Sequence, residues 1–111
     1  MSGRVALVTG ASRGLGAAMA AALAEAGCSL ILWARHAAKL KAIGRRCESL
    51  GAPVLIQQVD VTAPVQVRRA LAQALRRFGR LDVLVNNAGI WEGDPLTSLR
   101  LEAWSRVVTT D

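Results

Sequence analysis

The sequence contains no tyrosine, one phenylalanine and three tryptophans, so aromatic residues make up only 4% of its 111 positions. A surface that stacks successive bases on aromatic rings is hard to build from so few, which speaks against nucleic-acid binding despite a net charge of +6. Cysteine is equally sparse. Cys28 and Cys47 stand without a CxxC pair or a histidine cluster beside them, which argues against a zinc site or a disulfide framework and leaves two small buried thiols. Long apolar runs are missing as well. The alanine-rich stretch from Ala17 to Ala24 falls well short of the ~20 residues needed to cross a bilayer. Met1 is followed almost at once by the first apolar run, leaving no room for a signal peptide, and the expected compartment is the cytoplasm. There are no repeats, linkers or low-complexity tracts, so a chain of this length is expected to form one domain at most, single cores typically needing roughly 100 to 150 residues.

What is present alternates regularly. Short apolar runs at Val5 to Val8, Leu30 to Trp33, Val54 to Gln57 and Leu81 to Val85 read as strands. Between them lie helical stretches: Leu15 to Ala26, ended by Gly27; Ala37 to Leu50, with Leu40, Ile43, Cys47 and Leu50 on one face; and an arginine-rich helix that Thr62 can cap, with Pro64 in its first turn and Gly79 as its stop. In that last helix Val67, Leu71, Ala74, Leu75 and Phe78 make a core-facing stripe. Arg69, Gln73, Arg76, Arg77 and Arg80 fall on the other side, the pattern of a solvated face rather than of a nucleic-acid groove. After the fourth strand comes "NNAGIWEGDPLTS", which reads as irregular. A final helix then carries Leu101, Trp104 and Val108 on one face.

Continuously apolar strands joined by helices imply a parallel sheet covered on both faces. With right-handed crossovers the expected fold is α/β, a doubly wound parallel sheet of Rossmann type, about four strands in the order 3-2-1-4. Ligands of such sheets bind beyond the carboxyl ends of the strands, near the switch point between the first and fourth. Two unusual loops fall there, "TGASRGLG" and "NNAG". Glycines where a strand turns into a helix allow unusual backbone angles, close approach of a diphosphate, and free N–H groups at the helix start to hold it. Gly10, Gly14 and Gly16 stand at that turn.

Taken together, Thr9-Gly10-Ala11-Ser12-Arg13-Gly14-Leu15-Gly16, then Asp60-Val61 after the third strand, then Asn86-Asn87-Ala88-Gly89 after the fourth, resemble the motifs of the short-chain dehydrogenases/reductases, in the family's order and setting. The resemblance implies that residues 1–111 form a partial NADP-binding Rossmann-type domain. Gly10, Ser12, Arg13, Leu15 and Gly16 would serve the pyrophosphate and the adenosine side of the cofactor. Asp60 would accept a hydrogen bond from the adenine amino group, with Val61 beside that ring. Asn87 and Ala88 would lie beside the nicotinamide ribose, and Asn86 and Gly89 would stabilise sheet and loop. Where an NAD-specific member carries a carboxylate, at the end of the second strand, this sequence has Ala34, followed by Arg35. Arg35 and Arg13 could clamp the 2′-phosphate of NADP. NADP is therefore the expected cofactor, NAD the lesser one. His36 reads as a surface residue at the same corner, and no metal site is expected.

The resemblance also implies residues that this chain lacks. The family's general acid/base is a tyrosine, with a lysine four positions later and a serine that orients the substrate carbonyl. This chain has no tyrosine, and Asp111 occupies the position of the family's asparagine. An aspartate there keeps an acceptor but loses the amide donor. The expectation is an NADP(H)-dependent oxidoreductase, transferring hydride between nicotinamide and a small carbonyl or alcohol substrate and homo-oligomeric when complete, of which these residues are the amino-terminal, cofactor-binding half. By itself this half is expected to be inactive and only marginally stable, with Leu81 to Val85 left as an apolar edge strand. A non-catalytic dinucleotide-binding or sensor protein is the alternative. Trp91 and the segment Glu92 to Thr97 could border a substrate pocket or serve packing alone.

Overall fold

The computed structural model describes residues 2–12, 14–86 and 89–92. In chain order the elements are β1 (Val5–Thr9), α1 (Gly14–Glu25), β2 (Ser29–Ala34), α2 (Ala37–Ser49), β3 (Val54–Gln58), α3 (Pro64–Phe78), β4 (Val83–Asn86) and β5 (Gly89–Glu92). They build one sheet in the order β3-β2-β1-β4-β5. β1 pairs in parallel with β2 (Leu7 opposite Ile31) and with β4 (Leu7 opposite Leu84), and β2 with β3 (Ile31 opposite Leu55). The doubly wound parallel arrangement expected from the sequence is thus present, with strand ends within two residues of those expected.

The period-two alternation of the strands explains why the sheet needs cover on both sides. Ala6, Val8, Leu30 and Leu32 face α1 and α2 and pack with Ala20, Leu23, Ala24, Leu40 and Cys47. Val5, Leu7, Ile31 and Trp33 face α3 and pack with Val67, Leu71 and Ala74. Both cysteines are buried, as their isolation in the sequence suggested. In α3 the stripe lies as expected, with Leu75 and Phe78 packed against its margin and Arg69, Gln73, Arg76 and Arg77 in solvent, as is Arg80 just beyond the helix. Its C-terminus is closed by Gly79 at φ 75°, whose N–H donates to the Leu75 carbonyl at 2.8 Å, a left-handed position that glycine adopts without a Cβ penalty. Among the described residues no helix is long and apolar enough to cross a membrane.

Four local expectations are corrected. Thr62 does not cap α3: the N-cap is Ala63, without a side-chain cap. Thr62 stands one residue before that position, and its hydroxyl donates to Asp60 Oδ1 at 2.6 Å, a charged acceptor two residues upstream. Leu50 lies just past α2 and is 39% exposed, since the helix ends before that turn of the stripe is completed. The stretch after β4 is not wholly irregular, nor is β4 an edge. β5 pairs antiparallel with it, Leu84 opposite Trp91 and Val85 opposite Ile90. The β-branched and aromatic pair at Ile90 and Trp91 favours extended backbone, and the unpaired N–H and C=O groups of β4 supply the partner. The expected helix carrying Leu101, Trp104 and Val108 lies outside the described residues.

Candidate functional site: a cleft at the carboxyl ends of the strands

β1 ends at Thr9, whose hydroxyl reaches the Val85 carbonyl of β4 at 3.4 Å. Gly10 follows at φ 63°, a value that turns the chain sharply and that other residues adopt only with strain. The next N–H, that of Ala11, donates to the Trp33 carbonyl at the end of β2 at 3.0 Å, so the turn is tied to the neighbouring strand before α1 begins. The other two glycines serve different needs. At Gly16 a Cβ would overlap the Gly10 carbonyl oxygen and lie 3.0 Å from its carbon and 3.3 Å from Ala11 Cα; α1 rests directly on the backbone of the turn. At Gly14 a Cβ would meet no protein atom within 4 Å. Its lack of a side chain keeps the solvent side of the helix start open. Leu15 beside it is 79% exposed, outside either core.

Beyond this turn opens a cleft of about 310 Å³. Thr9, Gly10 and Ser12 form one side, Trp33, Ala34, Arg35 and His36 at the end of β2 the second, and Val59 and Val61 after β3 the third. Arg35 is anchored through its carbonyl, which accepts from Gln58 Nε2 at 2.8 Å, while its guanidinium stays mostly in solvent, 3.7 Å from Asp60 Oδ2. Asp60 is held on several sides. Oδ1 accepts from the Thr62 hydroxyl at 2.6 Å and from the Thr62 N–H at 2.9 Å, and the Asp60 N–H donates to Gln66 Oε1 of α3 at 2.9 Å. The Thr62 hydroxyl above all, then the Thr62 N–H and, more weakly, Arg35 hold its carboxyl below the usual carboxylate range, so it is an ionised acceptor at neutral pH. Among the described residues the corner offers one fixed carboxylate, one guanidinium and a helix start without a side chain at Gly14, which suits a ligand bearing phosphates and a hydrogen-bond donor.

Of the residues singled out in the sequence, Gly10, Ser12, Arg35 and Val61 line the cleft. Gly16 and Leu15 stand at the start of α1 beside it, and Asp60 lies between the two lining valines and is joined to the cleft through Arg35. Arg13, Asn87, Ala88 and Asp111 lie outside the described residues. The cleft also uses Trp33, which the sequence marked only as strand, and Val59, which it did not single out, together with His36, which it placed on the surface at this corner. The only visible signal was the aromatic in "LILWAR", the one departure from aliphatic character in that strand.

Comparison with known proteins gives this geometry a family. The profile of the short chain dehydrogenases matches residues 4–111. An uncharacterized oxidoreductase of Methylorubrum extorquens is 39% identical over 108 residues, covering 96% of this chain and 44% of the relative. Among solved structures, a metagenomic short-chain oxidoreductase in complex with NADP superposes with a TM-score of 0.75 at 40% identity, over 94% of this chain and 48% of the other. A short chain dehydrogenase/reductase from Burkholderia phymatum in complex with NAD gives 0.72 at 32%, over 75% and 30%. The chain spans less than half the length of each of these three proteins. With the profile running from residue 4 to residue 111 and relatives near 40% identity aligned along almost its entire length, the chain belongs to the short-chain dehydrogenase family.

Proposed function

We propose that residues 1–111 are the cofactor-binding part of an NADP(H)-dependent oxidoreductase, acting in its complete form on a small carbonyl or alcohol substrate. A bound nicotinamide dinucleotide supplies hydride exchange at C4 of its ring. The residues of this chain fit such a group. The open backbone at Gly14 and the tight seat of Gly16 on Gly10 allow a pyrophosphate to reach the N-terminus of α1, and the fixed carboxylate of Asp60 would accept from an adenine amino group. Arg13, Asn87 and Ala88 keep the contacts that the family resemblance implies, and Asp111 stands for the family's asparagine. Cytoplasmic residence and homo-oligomerisation of the complete protein belong to the same reading.

The preference for NADP(H) rests on one observation. At the end of β2 the cleft is lined by Ala34 and the guanidinium-bearing Arg35, where a carboxylate would accept from the ribose 2′-OH of NAD and repel a 2′-phosphate. Titration of both cofactors tests it. Wild type should bind NADPH more tightly than NADH; Arg35→Ala should lose about tenfold or more toward NADPH alone, the scale of one charge-assisted hydrogen bond; and Ala34→Asp should move the preference toward NADH. Equal affinities in the wild type would overturn the assignment.

A further inference from the structure

One buried polar side chain next to the cleft has no part in the dinucleotide contacts described above. Gln57 on β3 is 8% exposed, and its amide is fully engaged. Oε1 accepts from the Trp33 indole Nε1 at 2.8 Å, while Nε2 donates to the Ala70 carbonyl at 2.9 Å and to Gln73 Oε1 at 3.1 Å, both on α3. Burying an amide and an indole N–H costs their hydration. Two aliphatic residues would fill the same layer without that cost. What the polar pair adds is direction, because hydrogen bonds fix the rotation of a ring that packing alone leaves freer.

The ring that is fixed belongs to Trp33. It is fully buried in the core beneath α3, and it borders the cleft. Its carbonyl holds the glycine-rich turn through the Ala11 N–H at 3.0 Å. Trp33 therefore links two separate contacts, its indole N–H bonded to Gln57, which is bonded to α3, and its main-chain carbonyl bonded to the turn that follows β1.

We propose that Gln57 is a positioning residue of the nucleotide cleft: through Trp33 it sets the wall of the cleft and the glycine-rich turn in fixed register with α3. The inference rests on the dinucleotide reading of that cleft. Gln57→Met keeps the length and approximate volume of the side chain while deleting both of its hydrogen-bonding functions. Trp33→Phe deletes the matching N–H. Gln73→Ala, at an exposed position, removes one of the two α3 acceptors and leaves the Trp33 bond in place.

The experiment combines NADPH titration with amide and indole NMR spectra of the full chain. In Gln57→Met the NADPH Kd should rise about tenfold, with displaced resonances for the Trp33 indole and the Ala11 amide. Trp33→Phe should raise Kd to a similar extent, and the double variant no further than the more affected single one, as expected for residues acting as a unit. Gln73→Ala should stay within about twofold of wild type. A lowered melting temperature with unchanged Kd well below the transition would reduce the pair to ordinary core packing and overturn the proposal. An unmoved Ala11 amide in Gln57→Met would overturn it without any ligand. If wild type fails to bind NADPH, the dinucleotide reading falls, while the Ala11 amide still decides whether Gln57 controls the turn. If Gln57→Met does not fold, unchanged NADPH affinity in Trp33→Phe has the same overturning force.

Discussion

Replacing Gly16 by alanine adds a single methyl group, and the structure indicates where it must go. The new Cβ would overlap the Gly10 carbonyl oxygen and crowd Gly10 C and Ala11 Cα at 3.0 and 3.3 Å. All three are backbone atoms, and the turn that carries them is held by the Ala11 to Trp33 hydrogen bond at 3.0 Å and by the φ of 63° at Gly10. No rotamer change relieves the contact. Restoring ordinary van der Waals spacing requires the first turn of α1 to retreat by about 1 Å, and overpacking of this kind costs about 1–3 kcal/mol. The helix-propensity gain of alanine over glycine returns at most about 1 kcal/mol. The net expectation is a loss of about 1–2 kcal/mol, or about 5–15 °C in melting temperature for a domain of this size. Gly16→Val should lose more, because its branch adds volume and its helix propensity is poorer. Gly14→Ala is the control, since its Cβ meets no protein atom within 4 Å. It should melt like wild type yet bind NADPH less well, the methyl standing where the pyrophosphate would approach. Circular-dichroism melts and NADPH titrations of both variants make the test. A wild-type melting temperature and wild-type affinity in Gly16→Ala would refute the argument that this glycine is required by close packing.

The remaining expectations are shorter. Gly44→Ala also places a Cβ against a neighbour, but that neighbour is the tip of the half-buried Ile56 side chain, which can swing aside for about 0.5–1.5 kcal/mol; helix propensity offsets most of this, and a melting temperature within a few degrees of wild type is expected. Asp82 joins the start of β1 to the approach to β4, accepting from the Val5 N–H at 2.8 Å and from Arg80 Nε and Nη2 at 2.8 and 2.6 Å. Arg80 first, and then the Val5 N–H, hold its carboxyl below the ordinary value, so its contribution is present above an unfolded pKa of about 3.9 and is lost as pH falls through the lower folded value. Asp82→Asn should therefore lower stability at neutral pH and flatten the acid limb of a stability-versus-pH profile; a parallel shift at every pH would contradict this. Without tyrosine in the chain, NADPH consumption with a panel of carbonyl compounds should not exceed the uncatalysed background, and measurable turnover would show that another group moves the proton.

Much of this protein could be read from local pattern. The strands from Val5, Leu30 and Val54 are apolar runs bounded by turn residues, and the parallel order follows because each must be followed by a helix long enough to cross the sheet. The glycine spacing after β1 marked the cleft for the same local reason: positive φ and an open helix start are demands that few residue types meet. Particular atom-to-atom contacts, near or far in sequence, were a different matter. That Thr62 turns back to Asp60, that Gly16 rests on Gly10, that Gln57 grips the Trp33 indole and that Ile90 and Trp91 pair with β4 all depend on which atoms the fold brings within a few ångströms. A sequence states the period of its side chains, and period decides element type and buried face. Only the packed chain decides which acceptor lies nearest to a donor, because hydrogen bonds and hard-core contacts act over distances shorter than any uncertainty in placing one element against another.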